Sequence, residues 1–141
     1  QVKIITPDMI MENSDFDIRV EMTNPDNEDV QVKLIVFPHN LVDSMKLVRT
    51  SNPIGEKVDL DEGVGLPVEI LIKAGETQSF TGTWRANKML AIAGRVYLFT
   101  DHARQEVSLA LAVAPMPATF TPEPTLPVDN TEAELSMTPT P

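Results

Sequence analysis

An antiparallel β-sandwich of about seven to nine short strands is the fold class this sequence predicts. Three observations carry that reading. Apolar residues alternate with polar ones at a period of two, turn-forming clusters separate the apolar runs at short intervals, and no long amphipathic helical pattern occurs.

The clearest strand is Asp15–Thr23, DFDIRVEMT, with Phe16, Ile18, Val20 and Met22 on one face and Asp17, Arg19, Glu21 and Thr23 on the other. Asn24-Pro25-Asp26-Asn27 follows as a turn, because Asn and Asp bond their own backbone and Pro presets φ. Val30–Pro38 resumes with Val30, Val32, Leu34 and Val36 on one face, so the two segments are expected to form a hairpin. Further strands are expected at Leu41–Arg49, Leu66–Ile72, Gln78–Trp84, Arg95–Thr100 and Glu106–Val113. An N-terminal pair, Val2–Ile5 and Met9–Met11, is interrupted by Pro7, which suits an edge strand that changes sheets at a kink. One helical turn is expected within Arg85–Ala93. His39 reads as a loop residue, His102 as part of the last turn, and Trp84 and Tyr97 as core or corner aromatics.

Composition divides the chain near Ala114. Residues 115–141 hold 7 of the 12 prolines, 6 threonines, 4 acidic residues and no Lys or Arg. Proline lacks an amide donor and fixes φ, so this stretch reads as an extended tail or linker behind a 1–114 sandwich domain. Thr-Pro runs with acidic residues typify extracellular spacers, and Thr119, Thr121, Thr125, Thr138 and Thr140 are candidate O-glycan acceptors. A secreted or cell-surface setting is the expectation. The first residue, Gln1, is read as the start of a processed chain or a fragment.

Several function classes are disfavoured by the same arithmetic. With 21 acidic residues against 11 basic and a net charge of −10, the chain lacks the clustered cations that nucleic acid requires. Zero cysteines remove disulfide scaffolds, thiolate metal sites and thiol nucleophiles. No apolar run reaches the roughly 18–20 residues of a membrane helix. No Gly-x-Ser-x-Gly elbow places a nucleophile, and one Trp with one Tyr is a poor platform for sugar, so no enzyme activity is expected.

The three patterns DIRVEMTNPDNEDVQVKLIVF, IKAGETQSFTGTW (72–84) and GRVYLF (94–99) together resemble the immunoglobulin-like modules of bacterial and archaeal surface proteins, the CARDB-type adhesion-related domains. The resemblance covers roughly residues 14–113 and implies an immunoglobulin-like sandwich with a structural or adhesive role. In its Ala74-Gly75-Glu76 turn, Gly75 is expected to take a positive φ. A weaker pattern is similar to the BsuPI-type proteinase-inhibitor fold, from which the chain departs by a long 41–65 segment and by Ala74 where Pro is commoner.

Few side chains suggest chemistry. Asp59, Asp61 and Glu62 form the densest acidic cluster and are the candidate calcium ligands, since Ca²⁺ needs several hard oxygens from a chain that curls around it. A solvated acidic loop is the expected reading of this cluster, and no cofactor is expected. The 41–66 segment is expected to expose Leu41, Met45 and Leu47 as a contact surface, Val2 and Ile4 to form a strand available for donation, and Phe120 and Leu126 to provide contacts from the tail. The expected partners are other copies of the chain or neighbouring surface proteins, met through these edges. The alternative is a soluble binding protein, a proteinase inhibitor or a carrier of metal or carbohydrate, using the same loops as a rim.

Overall fold

The computed structural model describes residues 1–115, so Phe120, Leu126 and the tail threonines lie outside the described residues. Ten strands and one short helix follow in order: β1 (Val2–Ile5), β2 (Ile10–Met11), β3 (Asp15–Thr23), β4 (Val30–Phe37), α1 (His39–Ser44), β5 (Lys46–Thr50), β6 (Val58–Asp59), β7 (Val64–Ile72), β8 (Thr77–Arg85), β9 (Leu90–Thr100) and β10 (Arg104–Ala114). They form a four-stranded sheet, β1-β3-β8-β5, and a six-stranded sheet, β2-β10-β9-β4-β7-β6. Every pairing is antiparallel except β2 with β10. This is an immunoglobulin-like β-sandwich, its core filled by the inward faces of both sheets.

The period-two reading of β3 holds: Phe16, Ile18, Val20 and Met22 are all buried. So does the expected change of sheet at Pro7, because β1 pairs with β3 and β2 with β10. Gly75 has φ 74° in the β7–β8 turn.

Four expectations need correction. β3 and β4 do not form a hairpin: β3 pairs with β1 and β8, while β4 pairs with β7 and β9 in the opposite sheet. The turn between them is a corner crossing from sheet to sheet. Asn24 is buried there; its Nδ2 donates to the Glu28 carbonyl at 2.7 Å and the Ile72 carbonyl at 3.0 Å, and its own carbonyl accepts from the Gly75 amide. A side chain satisfying backbone groups from two segments replaces the ladder that a hairpin would supply.

Strict alternation also fails in β4. A register shift between Val32 and Leu34 turns Ile35 and Phe37 to the core and leaves Leu34 half-buried on the outer face.

The expected strand at Leu41–Arg49 begins as helix α1, which includes His39. Pro38 precedes it with φ −61°, and its carbonyl accepts from the amides of Leu41 and Val42. The helical i, i+4 spacing then drives Leu41 and Met45 into the core, at 0% and 7% exposure. These two therefore support the sandwich from within instead of forming an outer contact surface.

No helical turn occupies Arg85–Ala93: β8 runs to Arg85 and β9 starts at Leu90. Trp84 is core as expected, packed edge-to-face on Phe37, whereas Tyr97 is half-buried on the outer face beneath the Arg104 guanidinium.

Candidate interaction surfaces

Titratable side chains are engaged locally instead of converging. The hairpin joining β6 to β7 is closed by the amides of Leu60 and Gly63, each donating to the other's carbonyl. It directs its acids to separate partners: Asp59 Oδ1 lies 2.9 Å from His39 Nε2, and Glu62 Oε2 lies 3.3 Å from Arg104 Nη1. Asp61 is exposed. The candidate calcium ligands are therefore not brought together, and among the described residues no three His, Asp or Glu side chains form a group able to hold a metal ion. His39 and His102 stand at opposite ends of the sandwich, one following β4 and the other in the β9–β10 turn.

Two carboxylates titrate below their ordinary range. The Arg85 side chain hydrogen-bonded to Asp15 at 2.6 Å favours its charged form, and for Glu76 the main cause is the Lys73 amide, which donates to Oε1 at 3.0 Å, aided by Gln78. Both lie on strand or turn surfaces and hold local geometry.

Concave space is modest. A cavity of about 90 Å³ opens where the N-terminus, the Asn24 corner and the β9–β10 turn meet, with Val2, Met22, Ile72 and Leu98 as its apolar wall. It falls well below the roughly 300–1,000 Å³ of typical small-molecule sites. A larger open groove, about 460 Å³, runs between Pro53–Gly55 and the Pro67–Glu69 stretch of β7.

The remaining open features are sheet edges. Val2 and Ile4 lie in β1, half-buried and paired with the chain's own β3, so this strand is already used at home. Leu47 packs partly against the core from β5, the other edge of the four-stranded sheet.

Sequence reasoning did not single out the longest open edge. β2 covers only Val113 and Ala114 of β10, leaving Arg104–Ala112 without a strand partner on that side among the described residues; β1, in the other sheet, packs against β10 without pairing. The backbone phase is set at both ends of β10. The Thr100 amide donates to the Ala103 carbonyl across the β9–β10 hairpin, and the Glu12 amide donates to the Ala114 carbonyl from the outer side. By the alternation of antiparallel ladders, Arg104, Glu106, Ser108 and Ala110 point their N–H and C=O groups away from β9. The signal was present in the apolar, Pro-free run VSLALA, but an apolar strand looks the same at an edge as in mid-sheet.

No protein-family model and no curated protein matches the chain, so neither the CARDB-type nor the BsuPI-type resemblance is shown as a family relationship. Among solved structures, the ASH / PapD-like domain 7 of human CEP192 aligns over 83% of this chain and 86% of its own, at 13% identity and a TM-score of 0.45. A GH20 exo-β-N-acetylglucosaminidase from Vibrio harveyi, solved with N-acetylglucosamine, aligns over 93% of this chain at 10% identity and a TM-score of 0.40; the match spans 20% of the enzyme. Both are similarities of shape at low identity. The class that the chain's own topology defines is an immunoglobulin-like sandwich with open sheet edges.

Proposed function

We propose that this chain is a non-enzymatic interaction module of a secreted or cell-surface assembly, binding proteins through its sheet edges while the Pro/Thr-rich segment spaces it from its neighbours. The observation that carries the reading is the open edge of β10, a row of backbone donors and acceptors on a rigid two-layer body. Such a row recognises another strand by main-chain hydrogen bonds. The local pairing of Glu62, Asp15 and Glu106 with arginines, and of Asp59 with His39, is in keeping with a structural surface. The cation-free, Thr-Pro composition of residues 115–141 supports the extracellular spacer.

Labelling intact source cells with a membrane-impermeant amine reagent, followed by cross-linking, tests this. The chain is expected to be labelled without lysis and to be recovered in cross-linked protein adducts. Labelling that appears only after lysis would contradict the surface setting, and absence of any adduct would contradict the interaction role.

A further inference from the structure

The other edges of this sandwich carry features that discourage strand addition. β1 has four residues with an exposed Lys3; β5 has a register shift and exposed Lys46 and Arg49; β6 has two residues. The outer side of β7 beyond β6 has Pro67, exposed Glu69 and a register shift. Charge, proline, irregularity and shortness are the means by which folded proteins blunt their edges.

β10 lacks them where it matters. It pairs with β9 through ten consecutive residues without a shift, and Val107–Ala112 contains no charge, Pro or Gly. Its two charged outer residues are drawn back over their own sheet. Arg104 reaches Glu62 at 3.3 Å and lies over the Tyr97 ring at 5.3 Å, and Glu106 reaches Arg95 at 3.3 Å. Met9, one residue before the start of β2, is 73% exposed beside the lower end of the same edge.

We propose that β10 pairs antiparallel with β10 of a second copy of this chain, centred on Val107, so that two six-stranded sheets join into one. This rests on the interaction-module reading and names its partner. The register follows from the backbone groups that are open. Arg104, Glu106, Ser108 and Ala110 form a set symmetric about Val107, so Arg104 faces Ala110 of the second copy and Glu106 faces Ser108 of the second copy. Each outward donor and acceptor then finds a counterpart. No like charges sit directly opposite, each Glu106 keeps its Arg95, and the long Arg104 side chain lies against an alanine. The contact is isologous and closes at two copies. Ala112, Val113 and Ala114 stay outside the pairing, leaving β2 undisturbed.

Sedimentation velocity on the full chain tests the pairing, together with two variants. Ala110→Lys places a cation opposite Arg104 of the second copy, on an exposed position that the isolated fold tolerates. Ser108→Pro removes an amide that points away from β9, sparing the chain's own ladder. The wild type is expected to shift from monomer to dimer with concentration, and Ala110→Lys to weaken the dimer at least about tenfold while keeping the wild-type circular dichroism. Amide exchange at Glu106, Ser108 and Ala110 is expected to be slow in the dimer and fast in Ala110→Lys. If Ser108→Pro fails to fold, Ala110→Lys decides alone. A wild type that remains monomeric up to about 1 mM overturns the proposal. So does a dimer that persists in folded Ala110→Lys. Neither result touches the cell-labelling outcome, so failure of the pairing is distinguishable from failure of the module reading.

Discussion

Trp84 and Phe37 meet edge-to-face across the sandwich, their ring centroids 5.4 Å apart and their planes at 64°. The pair joins β8 of one sheet to β4 of the other, and both rings are almost fully buried. The fit is tight: a Cβ added at Gly82 would stand 2.8 Å from Trp84 Nε1, an indole nitrogen that has no hydrogen-bond partner among the described residues. Room for the indole, not backbone freedom, explains this glycine.

Trp84→Ala is therefore expected to lower stability by ~3–5 kcal/mol, by cavity formation between the sheets. Gly82→Ala is expected to cost ~1–3 kcal/mol through overpacking, since the rigid indole cannot swing aside without disturbing Phe37. Urea unfolding of the two variants checks both, and a neutral Gly82→Ala would show that the indole has space to move.

Asn24 is the second joint between the sheets. Its amide group serves the Glu28 and Ile72 carbonyls, and its Oδ1 accepts from the Asp26 amide at 3.1 Å. Asn24→Ala is expected to destabilise by ~1–3 kcal/mol, because the Ile72 carbonyl loses this donor in a buried setting. Asn24→Asp is expected to be worse at neutral pH than at acid pH, since a carboxylate would face two carbonyl oxygens. Thermal melts at two pH values distinguish the variants.

The Lys73 amide holds the Glu76 carboxyl below the usual carboxylate range, and Arg85 does the same to Asp15. A folded-state pKa below the unfolded one stabilises the fold above the unfolded pKa, ordinarily about 4, and that contribution disappears as pH falls through the folded value. Glu76→Gln is thus expected to lower the melting temperature at pH 7 and to flatten its loss below about pH 4.5, so that the gap to the wild type closes as pH falls. A melting profile from pH 7 to about pH 2.5 that matches the wild type in shape would refute the link.

Gly63 closes the β6–β7 hairpin, and a Cβ there would come within 2.1 Å of the Phe37 carbonyl oxygen. Because that atom is backbone, Gly63→Ala is expected to displace the hairpin and cost ~1–3 kcal/mol. Loss of the His39–Asp59 and Arg104–Glu62 contacts, followed by NMR shifts of His39 and of Tyr97, is the local signature. An unperturbed spectrum would argue against it.

Much of the fold was legible because a strand's periodicity is a local property. The alternation in Asp15–Thr23, the break at Pro7 and the Gly75 turn each depend on a few neighbouring residues, and each appears in the structure. The candidate surfaces were legible only in part. Leu41 and Met45 looked like a surface because no local rule distinguishes an apolar residue facing out from one facing in. The short helix after Pro38 decided that, by turning an i, i+4 pair toward the core.

By itself, then, the sequence determined an all-β body of short alternating strands, the sheet change of its first strand and the contrast with the proline-rich residues that follow Ala114. Tertiary structure decided which strands neighbour one another and which remain at an edge. Consecutive β3 and β4 entered different sheets because the buried Asn24 ties their corner to Ile72 and Glu28, partners 48 and 4 residues away. Among the described residues, the apolar β10 is an edge because β2 reaches only its last two residues. Pairing is a relation between distant segments, and its hydrogen bonds are made by backbone groups common to nearly every residue, so side-chain pattern alone does not encode which edge stays open.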